Sequence, residues 1–351
     1  MWYDRFFKNL TTDVGIDLGT STTLVYIKGH GIVLTEPSIV AINQKTGRVV
    51  AVGDDASEMI GRTPAHIQAI KPLENGVISN FEVGEEMIAC FLRKALSSVG
   101  KAYFRPRVVV SVPSDITNVE RRAVRDAVMN AGAREVHIVE SPMAAAIGIN
   151  IPIYDPVGSM IVDIGGGTTD IAVISLGGVV CSKNLHIAGE KYNQDIVNYI
   201  RDEFKILLGE RTAEEVKVSI GAVLKQPVPG EALIRGRDLV TGLPREVAVT
   251  DSDIREAVFN SVVLFVDAVK EVLESTPPEV VSDIMRRGVI LVGGGSQVRG
   301  LTELLEKEIE IPIHLAEDPG TAVVRGTGVI LDNFESHRDI LIDNEDDLPP
   351  R

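Results

Sequence analysis

VDIGGGTTDIAVI (residues 162–174) and IDLGTSTTLVYI (residues 16–27) share one pattern. Each runs apolar residue, Asp, apolar residue, Gly, small residues, a Thr pair, then alternating apolar positions. Alternation around a Gly/Ser/Thr cluster predicts strand, tight turn, strand. Finding it twice, about one small domain apart, predicts a chain built of two similar halves. A cleft then lies between the halves, and each offers its own turn to a ligand held there.

The rest of the chain fits that reading. Strand-like runs alternate with helical ones, as in residues 105–113, 118–132 and 135–149, so the fold class is α/β. Gly132 is placed to close the helix of residues 118–132. After Pro156 the pattern restarts. Residues 254–275 read as a strong amphipathic helix, and residues 287–309 as strand, glycine turn and helix. At 351 residues the chain is long enough for more than one core.

Glycine turns let backbone N–H groups approach phosphate oxygens without a Cβ in the way. Gly19, Thr20, Ser21 and Thr22 form the first such turn, and Gly165, Gly166, Gly167 and Thr168 the second. Asp17 and Asp163 end the preceding strands. Two carboxylates facing the same phosphates repel unless a hard cation such as Mg2+ sits between them. A third turn, Gly294 and Gly295 within LVGGGSQVRG (residues 291–300), is expected to open a helix whose N-terminus receives another polar part of the ligand. Neither single-lobe nucleotide motif, G-x-x-x-x-G-K-[ST] or G-x-G-x-x-G, accounts for these turns.

These turns resemble those of the actin-like ATPase superfamily. Within it the chain is similar to the MreB family of bacterial rod-shape actins. The stretches GRTPAHIQAIKPLENGVISNFEV (61–83), SPMAAAIG (141–148), GERTAEEVK (209–217), GRDLVTGLPREV (236–247) and TPPEVVSDIMRRGVILVGGGSQVRGL (276–301) carry the likeness beside the two turns.

The resemblance implies a duplicated actin-like, ribonuclease H-like fold of two lobes, each of two subdomains, around a nucleotide cleft. It assigns residues 13–33, 72–152 and 317–335 to subdomain IA, and residues 34–71 to IB. Residues 153–188 and 254–316 make IIA, and 189–253 make IIB. ATP is the implied cofactor, with Mg2+ held largely through water by Asp17 and Asp163. Glu214 and Lys217 would contact ribose and base, and Gly294, Gly295, Ser296, Gln297 and Val298 the adenosine. Thr168 would help to orient the attacking water.

The family's water-positioning glutamate directly precedes the proline of the segment that here reads VESPMAAAIG (139–148). That position is Ser141. Glu140 stands one residue earlier and, on an extended chain, points to the opposite face. Ser141 before Pro142 reads as a helix N-cap with proline at the first helical position. A hydroxyl is a poor proton acceptor, so hydrolysis is expected to be slow. Turnover-free use of ATP as a structural ligand is the extreme case. A sugar kinase of the same fold would need its own substrate pocket and catalytic carboxylate, which the sequence does not display. A chaperone ATPase would need a peptide-binding domain, whereas a short acidic stretch follows Leu331.

The family also implies head-to-tail polymerisation into paired antiparallel filaments on the inner face of the plasma membrane. A membrane-anchored adaptor and cell-wall synthesis proteins are the implied partners, and the location is cytoplasmic and peripheral. Residues 1–12 suit this. Trp2, Tyr3, Phe6 and Phe7 recur at helical spacing opposite charged residues, the pattern of an interfacial helix. Tyr103 and Phe104 offer a second apolar anchor, and a polymer repeats both along its length.

A net charge of −15 argues against nucleic acid and against an electrostatic grip on anionic lipid. Cys90 and Cys181 are too few for a disulfide framework and suit a reducing compartment. No apolar run reaches the length of a membrane span, and no signal-peptide pattern is present. Residues 336–351, acidic and ending in prolines, are expected to form a disordered tail.

Overall fold

The computed structural model describes residues 12–62, 64–100 and 105–342. Trp2, Tyr3, Phe6, Phe7, Tyr103 and Phe104 therefore lie outside the described residues.

Two five-stranded sheets organise the chain, and they share one plan. In the first, Asp13–Leu18 pairs antiparallel with Thr22–Ile27, which pairs antiparallel with Gly31–Pro37. On its other side Asp13–Leu18 pairs in parallel with Arg107–Val112, and that strand with Glu135–Glu140. In the second, Ser159–Ile164 takes the central place. Thr169–Ser175 and then Gly178–Leu185 continue antiparallel, and Val289–Val292 and Ile313–Leu315 continue in parallel on the other side. The duplicated pattern in the sequence is thus a duplicated sheet. Both glycine turns sit at the hairpin of the central strand, which brings them to equivalent places in the two lobes.

Each lobe carries a smaller three-stranded sheet. Val40–Asn43 is flanked by Val49–Val52 and Ile67–Ile70 in the first. Glu231–Asp238 is flanked by Ile206–Leu207 and Pro244–Thr250 in the second. The inner strands Arg107–Val112 and Ser159–Ile164 are buried on both faces, which is why they read as nearly unbroken apolar runs.

One apolar cluster fills each lobe, and a third joins them. The joining cluster contains Val109 and Val139 from the first sheet and Ile161 and Val292 from the second. At its centre, helix Ser141–Gly148 lies against helix Ala322–Asp332. A Cβ built on Gly326 would stand 1.7 Å from the Ala144 carbonyl oxygen, and one on Gly148 would stand 1.9 Å from that of Ala322. Small residues at both contacts let the two backbones touch.

Three local expectations are corrected. The N-cap of helix Ser141–Gly148 is Glu140 in extended conformation, without a side-chain cap bond, and Pro142 falls in the first turn. Ser141 is already helical, and its hydroxyl donates to the Val112 carbonyl at 3.0 Å. Nor does the Gly294–Gly295 turn open a long helix directly. It forms the 3-10 turn Gly294–Gln297, and helix Leu301–Ile309 starts later, after Gly300 at φ 80°.

Finally, residues 336–342 are not a disordered tail. Phe334–Ile340 forms a 3-10 helix, Ile340, Leu341 and Ile342 are buried, and the Ile342 amide donates to the Ile138 carbonyl at 2.9 Å. The apolar ILI run (residues 340–342) lies at the open edge of the first sheet, which the acidic composition around it concealed. Gly132 does close its helix, at φ 113°, with the Ala133 amide on the Val128 carbonyl at 3.3 Å.

Candidate functional site

A cavity of about 1200 Å3 opens between the lobes, and both glycine turns line it. Gly19, Thr20, Ser21 and Thr22 come from the first lobe, and Gly165, Gly166, Gly167 and Thr168 from the second. The turns face each other at close range. A Cβ on Gly166 would meet the Ser21 hydroxyl at 2.1 Å, and one on Gly167 the Thr20 hydroxyl at 2.5 Å.

Their shapes are fixed from behind. The Ser38 hydroxyl donates to the Gly19 carbonyl at 2.6 Å, and the Gly76 amide donates to the Thr20 hydroxyl at 2.8 Å. In the second turn the Gly165 amide donates to the Thr168 carbonyl at 2.9 Å. Gly165 and Gly166 in turn offer their carbonyls to the amides of Gly189 and Glu190, at 3.2 and 2.8 Å. The turn is thereby tied to the start of helix Gly189–Phe204.

Asp17 and Asp163 lie beneath the turns and line the same cavity. Burial lifts the Asp17 carboxyl from 3.8 to about 6, against the pull of a 3.0 Å hydrogen bond from the Ser111 hydroxyl. Asp163 is pushed well above the carboxylate range, by burial first and then by the charges of Asp170 and Asp17. Asp170, the register partner of Asp163, also lines the cavity and is raised by burial, although it accepts from the Ser114 amide and the Asn184 amide group. Crowded carboxylates with so little compensation form a place that favours positive charge. Among the described residues no three acidic, His or Cys side chains converge as direct ligands of one ion.

The far end of the cavity is built by helix Glu210–Ile220 and the 3-10 turn. The Lys217 ammonium donates to Glu214 at 2.7 Å and to the Gly189 carbonyl at 2.9 Å. Glu214 also accepts from Asn193 at 2.6 Å, while Asn193 Oδ1 is buried and unpartnered among the described residues. Gly294, Gly295, Gln297 and Val298 line this end. Ser296 does not: it is buried, with its hydroxyl on the Gly293 carbonyl at 2.6 Å, and it braces the turn.

Ser141 lines the cavity, whereas Glu140 is buried behind it. Burial, with a contribution from Asp170, lifts the Glu140 carboxyl from 4.5 to about 7. The structure thus brings Thr168, Asp163 and Ser141 to one space and leaves Glu140 out of it.

Sequence reading missed Lys71, Glu190 and Asn193, which also line the cavity. Lys71 sits between strands in a stretch whose spacing carries no chemistry. Glu190 and Asn193 share one end of a helix, a spacing that ordinary surface residues show as well.

Two lobes with mirrored sheets, each presenting a glycine turn and a strand-end aspartate to a shared cleft, define the actin-like class of α/β proteins. The profile of the MreB/Mbl protein family matches residues 11–339, and the chain belongs to that family.

It is 48% identical over 323 residues to the cell shape-determining protein Mbl of Bacillus subtilis, covering 92% of this chain and 96% of that one. Its identity to the cell shape-determining protein MreB of Escherichia coli is 46% over 347 residues, covering 97% and 99%. Among solved structures it is similar to MreB5 of Spiroplasma citri bound to ADP, with a TM-score of 0.88 and 36% identity, covering 94% of this chain and 98% of that one. The AMPPNP-bound form of MreB5 matches with the same TM-score and coverage. Family membership sets aside the sugar-kinase and chaperone alternatives.

Proposed function

We propose that the cleft binds magnesium ATP and that the loaded chain assembles head to tail into filaments. The observation that carries this reading is the convergence of both glycine turns, from separate lobes, on one cavity with the two aspartates beneath them. Thr20, Ser21, Thr22 and Gly165 to Thr168 would cradle the phosphates. The Glu214–Lys217 pair and the turn of Gly294 to Val298 would hold ribose and adenine, where the unpartnered Asn193 Oδ1 offers an acceptor. Asp17 and Asp163 fit a hard divalent cation that keeps most of its waters, because such an ion would relieve their mutual repulsion. Its chemistry there is charge neutralisation of the phosphates. The ADP-bound and AMPPNP-bound MreB5 structures support the ligand class.

Filaments of this chain would lie on the inner membrane face and organise cell-wall synthesis. Support comes from the aromatic pattern of Trp2, Tyr3, Phe6 and Phe7 and from relatives named for determining cell shape. Among the described residues no helix is long and apolar enough to cross a membrane, so contact would come from such interfacial segments. Pelleting with lipid vesicles should require ATP and should fall several-fold when residues 1–10 are removed. Unchanged pelleting after truncation would remove the membrane role of this segment.

We further propose slow hydrolysis. Ser141 stands where the family's glutamate is expected, and its hydroxyl is already committed to the Val112 carbonyl. Loss of a positioned general base typically costs ~10²–10⁴-fold. Phosphate release by Ser141→Glu should therefore exceed that of the unaltered chain by tenfold or more, with assembly followed in parallel. Equal rates in the two proteins would refute the slow-hydrolysis proposal.

A further inference from the structure

The cations lining the cleft are unequally placed. Lys217 is held by Glu214 and the Gly189 carbonyl, and Arg211 by Glu215. Arg299 reaches the carbonyls of Ser219 and Gly221. These three lie toward the Glu210–Ile220 helix. Lys71 comes from the opposite lobe, immediately after strand Ile67–Ile70. Its ammonium crosses the cleft and donates to Glu190 Oε1 and to Glu210 Oε1, each at 2.8 Å.

Glu190 Oε1 has a second donor, the Ser21 hydroxyl at 3.0 Å. One carboxylate oxygen therefore takes hydrogen bonds from a lysine and from the first glycine turn. The backbone of the same residue is anchored to the second turn, through its amide on the Gly166 carbonyl at 2.8 Å. An anionic oxygen bonded to the first turn and to an ammonium, on a residue whose backbone is tied to the second turn, marks a place that suits a phosphate oxygen. Carboxylate and phosphate oxygens accept from the same donors, and lysine serves phosphate as a mobile point charge. Burial opposes the charge on Lys71, but its bonds to Glu190 and Glu210 outweigh that and keep the ammonium protonated.

We propose that the Glu190 carboxylate is an internal stand-in for the terminal phosphate, and that Lys71 is the residue by which this cleft distinguishes a nucleoside triphosphate from a diphosphate. On arrival of the third phosphate, Lys71 and Ser21 exchange the Glu190 oxygen for phosphate oxygens. A diphosphate does not reach Lys71 and leaves its bridge to Glu190 in place. The proposal rests on the nucleotide reading above and adds to it a competitor and a sensor. Because the Lys71 and Glu190 side chains are 30% and 27% exposed, the exchange takes place in partly screened surroundings.

The test is equilibrium binding of ADP and of AMPPNP, both with Mg2+, to the full chain and to Lys71→Met and Glu190→Gln. Lys71→Met should weaken AMPPNP by about tenfold or more, the size of one charge-assisted hydrogen bond, and leave ADP within about twofold. Glu190→Gln removes a charge that competes with the phosphate and should tighten AMPPNP by a similar factor, again sparing ADP. Retained ADP binding shows that each variant is folded. If Lys71→Met loses both nucleotides, Glu190→Gln decides, since it removes the charge while keeping the side-chain shape. Parallel changes for the two nucleotides in Glu190→Gln, or no change in either variant, would overturn the proposal. An unaltered chain that binds neither nucleotide would instead overturn the nucleotide reading itself.

Discussion

Replacing Gly326 with alanine is expected to lower the melting temperature by roughly 4 °C, a loss of about 3 kcal/mol in a chain of 351 residues. Two effects compete. Alanine is the better helix former and on an open helix surface would add up to about 1 kcal/mol. Against this, the new Cβ would lie 1.7 Å from the Ala144 carbonyl oxygen and 2.5 Å from its carbon. Both are backbone atoms, so no rotamer change relieves the clash, and helix Ser141–Gly148 must move away from helix Ala322–Asp332. That displacement opens the apolar cluster shared by the two sheets. Steric cost therefore outweighs propensity. Gly294→Ala is the control, because its Cβ would meet nothing within 4 Å. A Gly326→Ala protein that melts as the unaltered chain does would show that the helix contact is not close.

The second large effect concerns binding. Gly167→Val is expected to weaken magnesium ADP by about 100-fold or more, the loss of two charge-assisted hydrogen bonds. A Cβ there would stand 2.5 Å from the Thr20 hydroxyl and 2.9 Å from its Cβ, so the branched side chain would wedge the two turns apart. Gly167 is not among the positive-φ glycines, and a side chain at this position meets no backbone obstacle of its own. The fold should persist while the phosphate cradle fails, which separates this variant from Gly326→Ala. Calorimetric titration alongside thermal melting checks both halves. ADP affinity within about threefold of the original would mean that phosphates do not lie between the turns.

Much of the cradle was legible along the chain because the pattern of strand-end aspartate, glycine and threonine stands twice, whereas a single such turn would read as an ordinary β-turn. Asp17, Asp163 and both turns meet in the cavity as the duplicated pattern predicts. The Glu214–Lys217 pair was nameable only through family likeness, since a pair three apart on a helix is indistinguishable in sequence from a surface ion pair. Ser141 was misread as a cap. Its choice between the first helical amides and the Val112 carbonyl depends on where a neighbouring strand runs, and the residue's own surroundings in sequence do not contain that. The burial of Ile340, Leu341 and Ile342 was hidden for the same reason: three apolar residues in an acidic context read as tail until an exposed sheet edge is placed beside them.

Local pattern thus determined what each half is: a strand-ending aspartate, a glycine turn, alternating apolar positions, and the repetition of all three. These follow from period and residue type, which act over a few neighbours. Tertiary structure alone decided what the halves do to each other. Gly148 and Gly326 set how closely helices Ser141–Gly148 and Ala322–Asp332 pack where the two sheets join, and Lys71 and Ser21 meet Glu190 across the cleft. Such contacts link residues far apart in the chain, and their distances depend on how two finished sheets pack, a quantity that no short window of sequence encodes.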